Sequence, residues 1–232
     1  MVRDMKTVKR LRLFVLSAAM LIGMLAFSTQ AYAIHTRVGQ PASHSYVKKS
    51  FTGRVLIFAG DSRTMYLTAD NLKAQRNNCA FVFENGGSIK SIANGGELKP
   101  YLDTMIQRYR GRCVVIMNFG INGNSNPKGN AKRITRVYRR WMRRYPDVTF
   151  LVESVNPSGH PNGGVGNPKI EKLNRFLKKE FGSSYIDVST YLLNRGIVDR
   201  SGKGTKDNLH YKRRANRAIY RYVKNFVSSY AF

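Results

Sequence analysis

Arg54–Ser62, with the sequence RVLIFAGDS, is the stretch that decides the fold. Its apolar part shows no alternation of apolar and polar residues, which predicts a strand buried on both faces. Gly60-Asp61-Ser62 then forms a turn signal, and Arg63–Arg76 is a predicted helix. A buried strand that leads through a sharp turn into a helix is the repeating unit of α/β proteins.

The same alternation of strand and helix continues along the chain. Further strands are predicted at Ala80–Glu84, Cys113–Asn118, Val148–Ser154 and Ser184–Val188. Further helices are predicted at Leu98–Tyr109, Ala131–Tyr145, Pro168–Glu180 and Tyr211–Ser229. This order predicts one domain with a parallel sheet of about five strands, covered by helices on both faces, and we find no internal repeat.

The first 33 residues have the features of a secretory signal peptide. A basic segment precedes the apolar run Leu13–Phe27, and Ala31-Tyr32-Ala33 supplies small residues at the cleavage spacing. We therefore expect residues 1–33 to be a signal peptide, 34–52 an arm or linker, and 53–232 the folded domain, secreted or associated with the cell envelope. The alternative is an uncleaved signal anchor, although a run of about 15 apolar residues is short for a bilayer span.

The composition is strongly basic, with 40 Lys and Arg against 13 Asp and Glu. The leader holds five of the basic residues and one acid, so the remaining domain keeps a formal charge of +23. The positive electrostatic potential of such a domain raises the local concentration of polyanions. Export, and the lack of zinc-finger or RNA-binding signatures, argue against nucleic acid as the partner and favour anionic polymers of the cell envelope. The alternative is that the positive charge only keeps the protein soluble and binds no partner. The basic clusters Arg139–Arg144 and Lys212–Arg217 are interpreted as exposed helix faces first and as binding patches second.

Cysteine and histidine are too sparse for a metal site. Cys79 directly precedes the predicted strand Ala80–Glu84, and Cys113 stands at the start of the strand Cys113–Asn118. These two strands would flank a common central strand, beyond disulfide reach inside the sheet. A disulfide could form only if both residues lay in loops below the sheet. Four scattered histidines give no ligand spacing, and no dinucleotide or phosphate-loop motif follows the first strand. The sequence predicts neither a metal nor a cofactor.

Four short blocks carry the residues that ester hydrolysis needs. They are Gly60–Ser62, Asn85–Gly87, Gly120–Asn122 and Asp207–His210. Each block alone is a common turn or cap sequence. The first three directly follow predicted strands, and the carboxyl ends of parallel strands share one edge of the sheet. We therefore expect the blocks to meet there; His160, which has no carboxylate nearby in the sequence, is an alternative base.

A serine hydrolase mechanism gives each block a role. Ser62 would be the nucleophile, His210 the general base, and Asp207 the group that orients the imidazole. The developing oxyanion would be stabilised by the Ser62 backbone N–H, a Gly87 amide and the Asn122 side chain.

This set of blocks resembles the SGNH/GDSL hydrolases over roughly residues 54–226. The matching residues are Ser62, Gly87, Asn122 and His210 with Asp207, and segments around residues 154–157, 170–174 and 185–187 resemble exported bacterial members. The resemblance implies a flavodoxin-like α/β/α fold in three layers and esterase, lipase or carbohydrate deacetylase chemistry through an acyl-serine, without metal.

The sequence departs from the family pattern in two places. Gly123 stands where the third block usually has aspartate, which would loosen the loop that directs the neighbouring asparagine. In the second block, Gly86 could take the role given to Gly87.

The leading functional hypothesis is a secreted, monomeric serine esterase without a membrane span after cleavage. Its substrate would be a small ester or an acylated carbohydrate, and it would remove groups such as O-acetyl from envelope or extracellular glycans. One alternative is an acyltransferase with the same triad. The other is a basic envelope-binding module that has lost catalysis.

Overall fold

The structure is a computed structural model that describes residues 54–71, 79–123, 125–159 and 167–230, together with the backbone of the short strands Tyr32–Ile34 and Ser43–Ser45. The chain divides into two units, Met1–Tyr32 and Ala33–Phe232, and the α/β fold belongs to the second unit. The expected signal peptide, most of the expected arm, and His160 lie outside the described residues.

Five parallel strands form the central sheet, as predicted. They are β1 (Val55–Gly60), β2 (Cys79–Phe83), β3 (Cys113–Asn118), β4 (Thr149–Glu153) and β5 (Tyr185–Ile186). Their order is β2-β1-β3-β4-β5, which is the flavodoxin-like arrangement. In this order the chain changes direction between β1 and β3, and ligands of such sheets bind at the carboxyl ends of these two strands.

Six α-helices accompany these strands within the described residues. They are α1 (Ser62–Asp70), α2 (Lys99–Arg108), α3 (Pro127–Arg144), α4 (Asn167–Phe181), α5 (Val188–Asn194) and α6 (Arg213–Ser229). The sequence analysis did not predict the short helix α5. It placed the start of α3 at Ala131, whereas the helix begins at Pro127. Proline is well suited to the first turn, and the Asn126 side chain caps the helix by accepting a hydrogen bond from the Gly129 N–H.

Two apolar cores lie on the two faces of the sheet. Alternate residues of β1 point in opposite directions: Ile57 belongs to the core beneath α2, α3 and α4, whereas Phe58 belongs to the core beneath α1, α5 and α6. Both residues are almost fully buried. The fold is therefore α/β in three layers, and every helix turns an apolar stripe toward the sheet.

The two cysteines lie inside strands and do not form a disulfide. Cys79 opens β2 and Cys113 opens β3, on either side of β1. Their side chains enter different cores, so they lie on opposite faces of the sheet. The condition for a bridge, that both lie in loops below the sheet, is not met. Burial raises the pKa of both thiols to about 11, so both are protonated at neutral pH.

Candidate active site

The turn between β1 and α1 places Ser62 at the carboxyl edge of the sheet. Asp61 caps α1, with its carboxylate accepting a 2.9 Å hydrogen bond from the Arg63 N–H. Gly60 is required here, because a Cβ atom would overlap Thr64 Oγ1 and would lie 2.7 Å from the Asn118 carbonyl oxygen. Ser62 therefore begins the helix, where the helix dipole favours developing negative charge.

The structure brings Ser62, His210 and Asp207 into one hydrogen-bonded chain. His210 Nε2 lies 2.9 Å from Ser62 Oγ, and His210 Nδ1 lies 2.7 Å from Asp207 Oδ2. The second Asp207 oxygen accepts the backbone N–H groups of Leu209 and His210 at 3.1 and 2.7 Å. Asp207 thus closes its own turn and contacts the imidazole at the same time.

The environment keeps the Asp207 carboxylate charged. Burial acts to raise its pKa, but hydrogen bonds from the His210 side chain and from the backbone of Leu209 and His210 outweigh it, and the pKa falls to about 2. The Tyr66 ring packs against the His210 ring, with centroids 4.5 Å apart. The imidazole is therefore held from one side by a carboxylate and along its face by an aromatic ring.

Arg63, next to Ser62, connects helix α1 to the segment that carries His210. This side chain is buried and donates to the backbone carbonyls of Asn156, Leu209 and Pro157 at 2.7, 3.2 and 3.3 Å. Its guanidinium also lies 4.9 Å from the centre of the Tyr211 ring. Arg63 therefore joins α1 to the loop after β4 and to both neighbours of His210.

The sequence analysis missed this arginine, although its position carries a signal. Arg63 follows the candidate nucleophile Ser62 in the first turn of a helix that is buried there, and a buried basic residue needs acceptors from elsewhere in the chain. A planar guanidinium with five donors can serve three carbonyls at once, whereas an ammonium cannot match that geometry.

We expect Arg63→Lys to lower kcat for a small ester by about 10- to 100-fold with a smaller change in KM, because a displaced general base costs turnover. Steady-state kinetics with p-nitrophenyl acetate measure both constants. Arg133→Lys, an exposed change on α3, is the control for the loss of a guanidinium. A variant with the Tm and kcat of the parent would contradict the role of Arg63 in positioning His210.

Two buried carboxyl groups lie beneath the site. Asp61 and Glu153 each carry one oxygen without a hydrogen-bond partner among the described residues, and the other Glu153 oxygen accepts a 2.9 Å bond from Asn156 Nδ2. Burial raises the pKa of Asp61 to about 6 and that of Glu153 to about 7, against the opposing charge of Arg63. Both groups therefore titrate near neutral pH.

Glu153 makes the stability of the fold depend on pH. Because its folded pKa is raised, its stabilising contribution is complete below the unfolded value of 4.5 and is lost as pH rises through about 7. We expect Glu153→Gln to remove up to about 3 kcal/mol of this pH dependence. Urea unfolding at pH 5 and pH 8 measures it, with Glu97→Gln, an exposed change, as control. Parallel pH profiles for wild type and Glu153→Gln would contradict the assignment.

The predicted oxyanion residues meet through a carbonyl rather than an amide. Asn122 Nδ2 donates a 2.7 Å hydrogen bond to the Gly87 carbonyl oxygen. The Gly87 N–H donates to the Glu84 carbonyl oxygen at 3.0 Å, within its own turn. Gly87 holds the Asn122 amide in place, and the second hydrogen of that amide has no acceptor among the described residues. The N–H of Ser62 lies in the first turn of α1, where helices leave amides without intrahelical partners.

Two glycines next to these residues share a left-handed backbone conformation. Gly86 and Gly123 both have positive φ angles, 70° and 75°, which glycine adopts without strain. Gly123 stands directly after Asn122, and the Asn122 side chain is nevertheless fixed by its bond to Gly87. Between the two candidates in the second block, the carbonyl that contacts Asn122 belongs to Gly87.

An open cavity of about 770 Å³ adjoins this part of the site. Its lining comes from the segment Glu84–Glu97 and includes Gly87, but none of the three triad side chains. Glycine, serine, asparagine and glutamate make up most of the lining, and its apolar side chains are limited to Ala93. A cavity lined in this way next to Gly87 can accommodate the hydroxyl-rich part of a ligand.

The described residues offer neither a metal site nor a membrane span. They contain no group of three or more His, Cys, Asp or Glu side chains that could hold a metal ion. None of the described helices combines the length and apolar character that a membrane span requires.

Comparison with solved structures identifies the fold. A Streptococcus pneumonia protein assigned as a platelet activating factor superposes with a TM-score of 0.61 at 17% identity, over 77% of this chain and 86% of that one. A protein of Parabacteroides merdae assigned as a GDSL-like lipase gives 0.56 at 9% identity, over 79% and 98%. The acetylxylan esterase Axe2 of Geobacillus stearothermophilus gives 0.54 at 12% identity, over 78% and 96%.

No protein-family model matches the sequence, and the search of curated proteins finds no match. The structural likeness therefore concerns the fold. The chain has the fold of the SGNH/GDSL hydrolases, as the four sequence blocks predict.

Proposed function

We propose that this protein is a serine esterase that removes small acyl groups, such as O-acetyl, from glycans. The observation that carries the proposal is the chain of short hydrogen bonds from Ser62 through His210 to Asp207, located where α/β sheets of this order bind ligands. Asn122 adds a fixed amide donor beside a polar cavity.

The first half of the reaction forms an acyl-enzyme. Ser62 Oγ attacks the ester carbonyl carbon while His210 Nε2 takes the hydroxyl proton, and the carbonyl oxygen becomes an oxyanion. The Ser62 N–H and the Asn122 amide donate to that oxyanion. The imidazolium, paired with Asp207, then protonates the leaving sugar oxygen, and the bond between the acyl carbonyl carbon and that oxygen breaks.

The second half releases the acid. Water attacks the acyl-serine carbonyl and gives a proton to His210. The intermediate collapses, Ser62 regains its proton from the imidazolium, and a carboxylic acid leaves. Each proton that Nε2 accepts is returned in the same half-reaction, so the enzyme ends as it began.

A glycan ester suits the surroundings of this site. The lining of the nearby cavity includes the polar side chains of Ser88, Lys90 and Asn94 and no apolar side chain larger than that of Ala93, which suits a hydroxyl-rich ligand better than a long acyl chain. The acetylxylan esterase that shares the fold acts on an acylated polysaccharide according to its name. The signal-peptide features of residues 1–33 support secretion or association with the cell envelope.

A fluorophosphonate probe tests the proposal directly. The wild-type protein should become labelled, and peptide mass mapping should locate the adduct on Ser62, because a general base beside a serine activates it toward phosphonylation. Heat-denatured protein is the control. A folded protein that stays unlabelled would overturn the esterase proposal and favour the non-catalytic binding module.

A further inference from the structure

The outer face of α6 carries a continuous row of basic side chains, here called the α6 stripe. Its members are Arg213, Arg214, Arg217, Arg221 and Lys224, all exposed. At 100° per residue they fall within an arc of about 100° and extend over roughly 16 Å of the helix. The opposite face is buried against the sheet, so the stripe faces solvent along its whole length.

Carboxylates of the described residues do not neutralise the α6 stripe. None of its five side chains forms an ion pair with a carboxylate of the described residues. On α3, the other strongly basic helix, Arg139 pairs with Glu180 and Arg144 pairs with Asp103. The exposed row Lys132, Arg136, Arg140 and Arg143 of α3 has no ion pair among the described residues. The α6 stripe is therefore distinguished by its position beside His210, and not by the lack of carboxylate partners. An extended row of uncompensated cations attracts anions that recur along a chain.

The first turn of α6 places these charges where they do not help the helix. Lys212, Arg213 and Arg214 stand at its N-terminus, where the helix dipole favours anions and disfavours cations. α3, by contrast, ends with Arg143 and Arg144 in its last turn, where cations are favourable. A row of charges that opposes local stability is more readily explained by binding than by folding.

The same end of the α6 stripe adjoins the catalytic histidine. Arg213 follows His210 by three residues. Lys206, which is also exposed, holds its ammonium 4.6 Å from the Tyr66 ring, and that ring packs on His210. A polymer that lies along the stripe would therefore pass the proposed nucleophile.

We propose that the α6 stripe binds an acidic polysaccharide and presents its ester groups to Ser62. This inference rests on the proposed esterase function for its second half only. A glycan fits better than single-stranded nucleic acid, which combines phosphate contacts with the stacking of bases on aromatic side chains. The aromatic side chains of α6 are not available for stacking, because Tyr222 is stacked on Tyr191 and Phe226 packs against Tyr230.

Two variants with the same loss of charge test the binding. In the stripe variant four arginines become glutamine: Arg213, Arg214, Arg217 and Arg221. In the control variant four basic residues of the exposed face of α3 become glutamine: Lys132, Arg136, Arg140 and Arg143. Binding of polygalacturonate is measured by titration calorimetry at several salt concentrations.

We expect the stripe variant to bind polygalacturonate at least tenfold more weakly. Its plot of log K against log salt concentration should be shallower by about 2–3, as for four lost contacts to a polyanion. The α3 variant should lose less than twofold. Equal losses in the two variants would overturn the proposal, because binding would then follow net charge alone. A larger loss for single-stranded DNA than for polygalacturonate in the stripe variant would overturn the choice of partner.

A kinetic arm separates this inference from the proposed function. The ratio of kcat/KM for acetylated polygalacturonate to kcat/KM for p-nitrophenyl acetate should fall at least tenfold in the stripe variant and stay constant in the α3 variant. If wild-type protein cleaved neither ester but still bound polygalacturonate through the α6 stripe, the esterase proposal would be wrong and the binding proposal would stand. A constant ratio in both variants would overturn the delivery of polymer to Ser62.

Discussion

Ser62→Ala, His210→Ala and the double variant are expected to lose the same factor in kcat, about 10⁴- to 10⁶-fold with a small ester. The equality follows from the hydrogen bond between Ser62 Oγ and His210 Nε2. A serine without its base is a weak nucleophile, and a base without its serine has nothing to activate, so the second substitution removes nothing further.

Single-turnover kinetics and circular dichroism of the three variants check this expectation. Ser228→Ala, which alters an exposed hydroxyl on α6, is the matched control and should keep the parental rate. Losses that multiply in the double variant would show that the two groups act independently. Retained turnover in Ser62→Ala would remove this serine from the chemistry altogether.

The sequence predicts the framework because the framework depends on local signals. Each long strand of the sheet is an apolar run bounded by a turn, and burial on both faces leaves no polar position inside it. The strand ends then fix where Ser62 and Asn122 must lie, since parallel strands deliver their carboxyl ends to one edge. The meeting of Ser62 with His210 follows from this geometry and from the return of the chain into α6.

The parts that sequence does not predict depend on contacts between distant segments. Helix α5 has seven residues and follows a two-residue strand, so neither element shows a full period. The role of Arg63 depends on carbonyl groups of residues 156, 157 and 209, which carry no side-chain signature. A backbone acceptor is the same for every residue type.

The second block, Asn85–Gly87, also depends on backbone groups that the sequence does not specify. The sequence predicts a Gly87 amide as a donor, whereas the structure shows the Gly87 carbonyl as an acceptor. A glycine in a turn suggests a free N–H near the substrate. Gly87 instead uses its N–H within the turn and offers its carbonyl to Asn122. Which of the two backbone groups points at the site depends on the rotation of one peptide plane, and the turn residues do not determine that rotation.

Asn122→Ala is therefore expected to lower kcat by about 10²- to 10³-fold, whereas KM for a small ester should change little. One amide hydrogen is bound by the Gly87 carbonyl, which fixes the plane of the amide and aims the other hydrogen. In the proposed mechanism, the hydrogen bond from that second hydrogen would strengthen only when the ester carbonyl becomes an oxyanion. An interaction that exists chiefly in the transition state affects kcat rather than ground-state binding.

Asn122→Asp separates the donor from the shape of the side chain. Aspartate has nearly the same size, yet its carboxylate cannot donate, and it would repel both the Gly87 carbonyl and the oxyanion. Its kcat should thus be at least as low as that of Asn122→Ala, with Asn225→Ala on the exposed face of α6 as the control. If Asn122→Asp kept the parental kcat, the oxyanion would have to be stabilised by backbone amides alone, and the Ser62 N–H would become the principal donor.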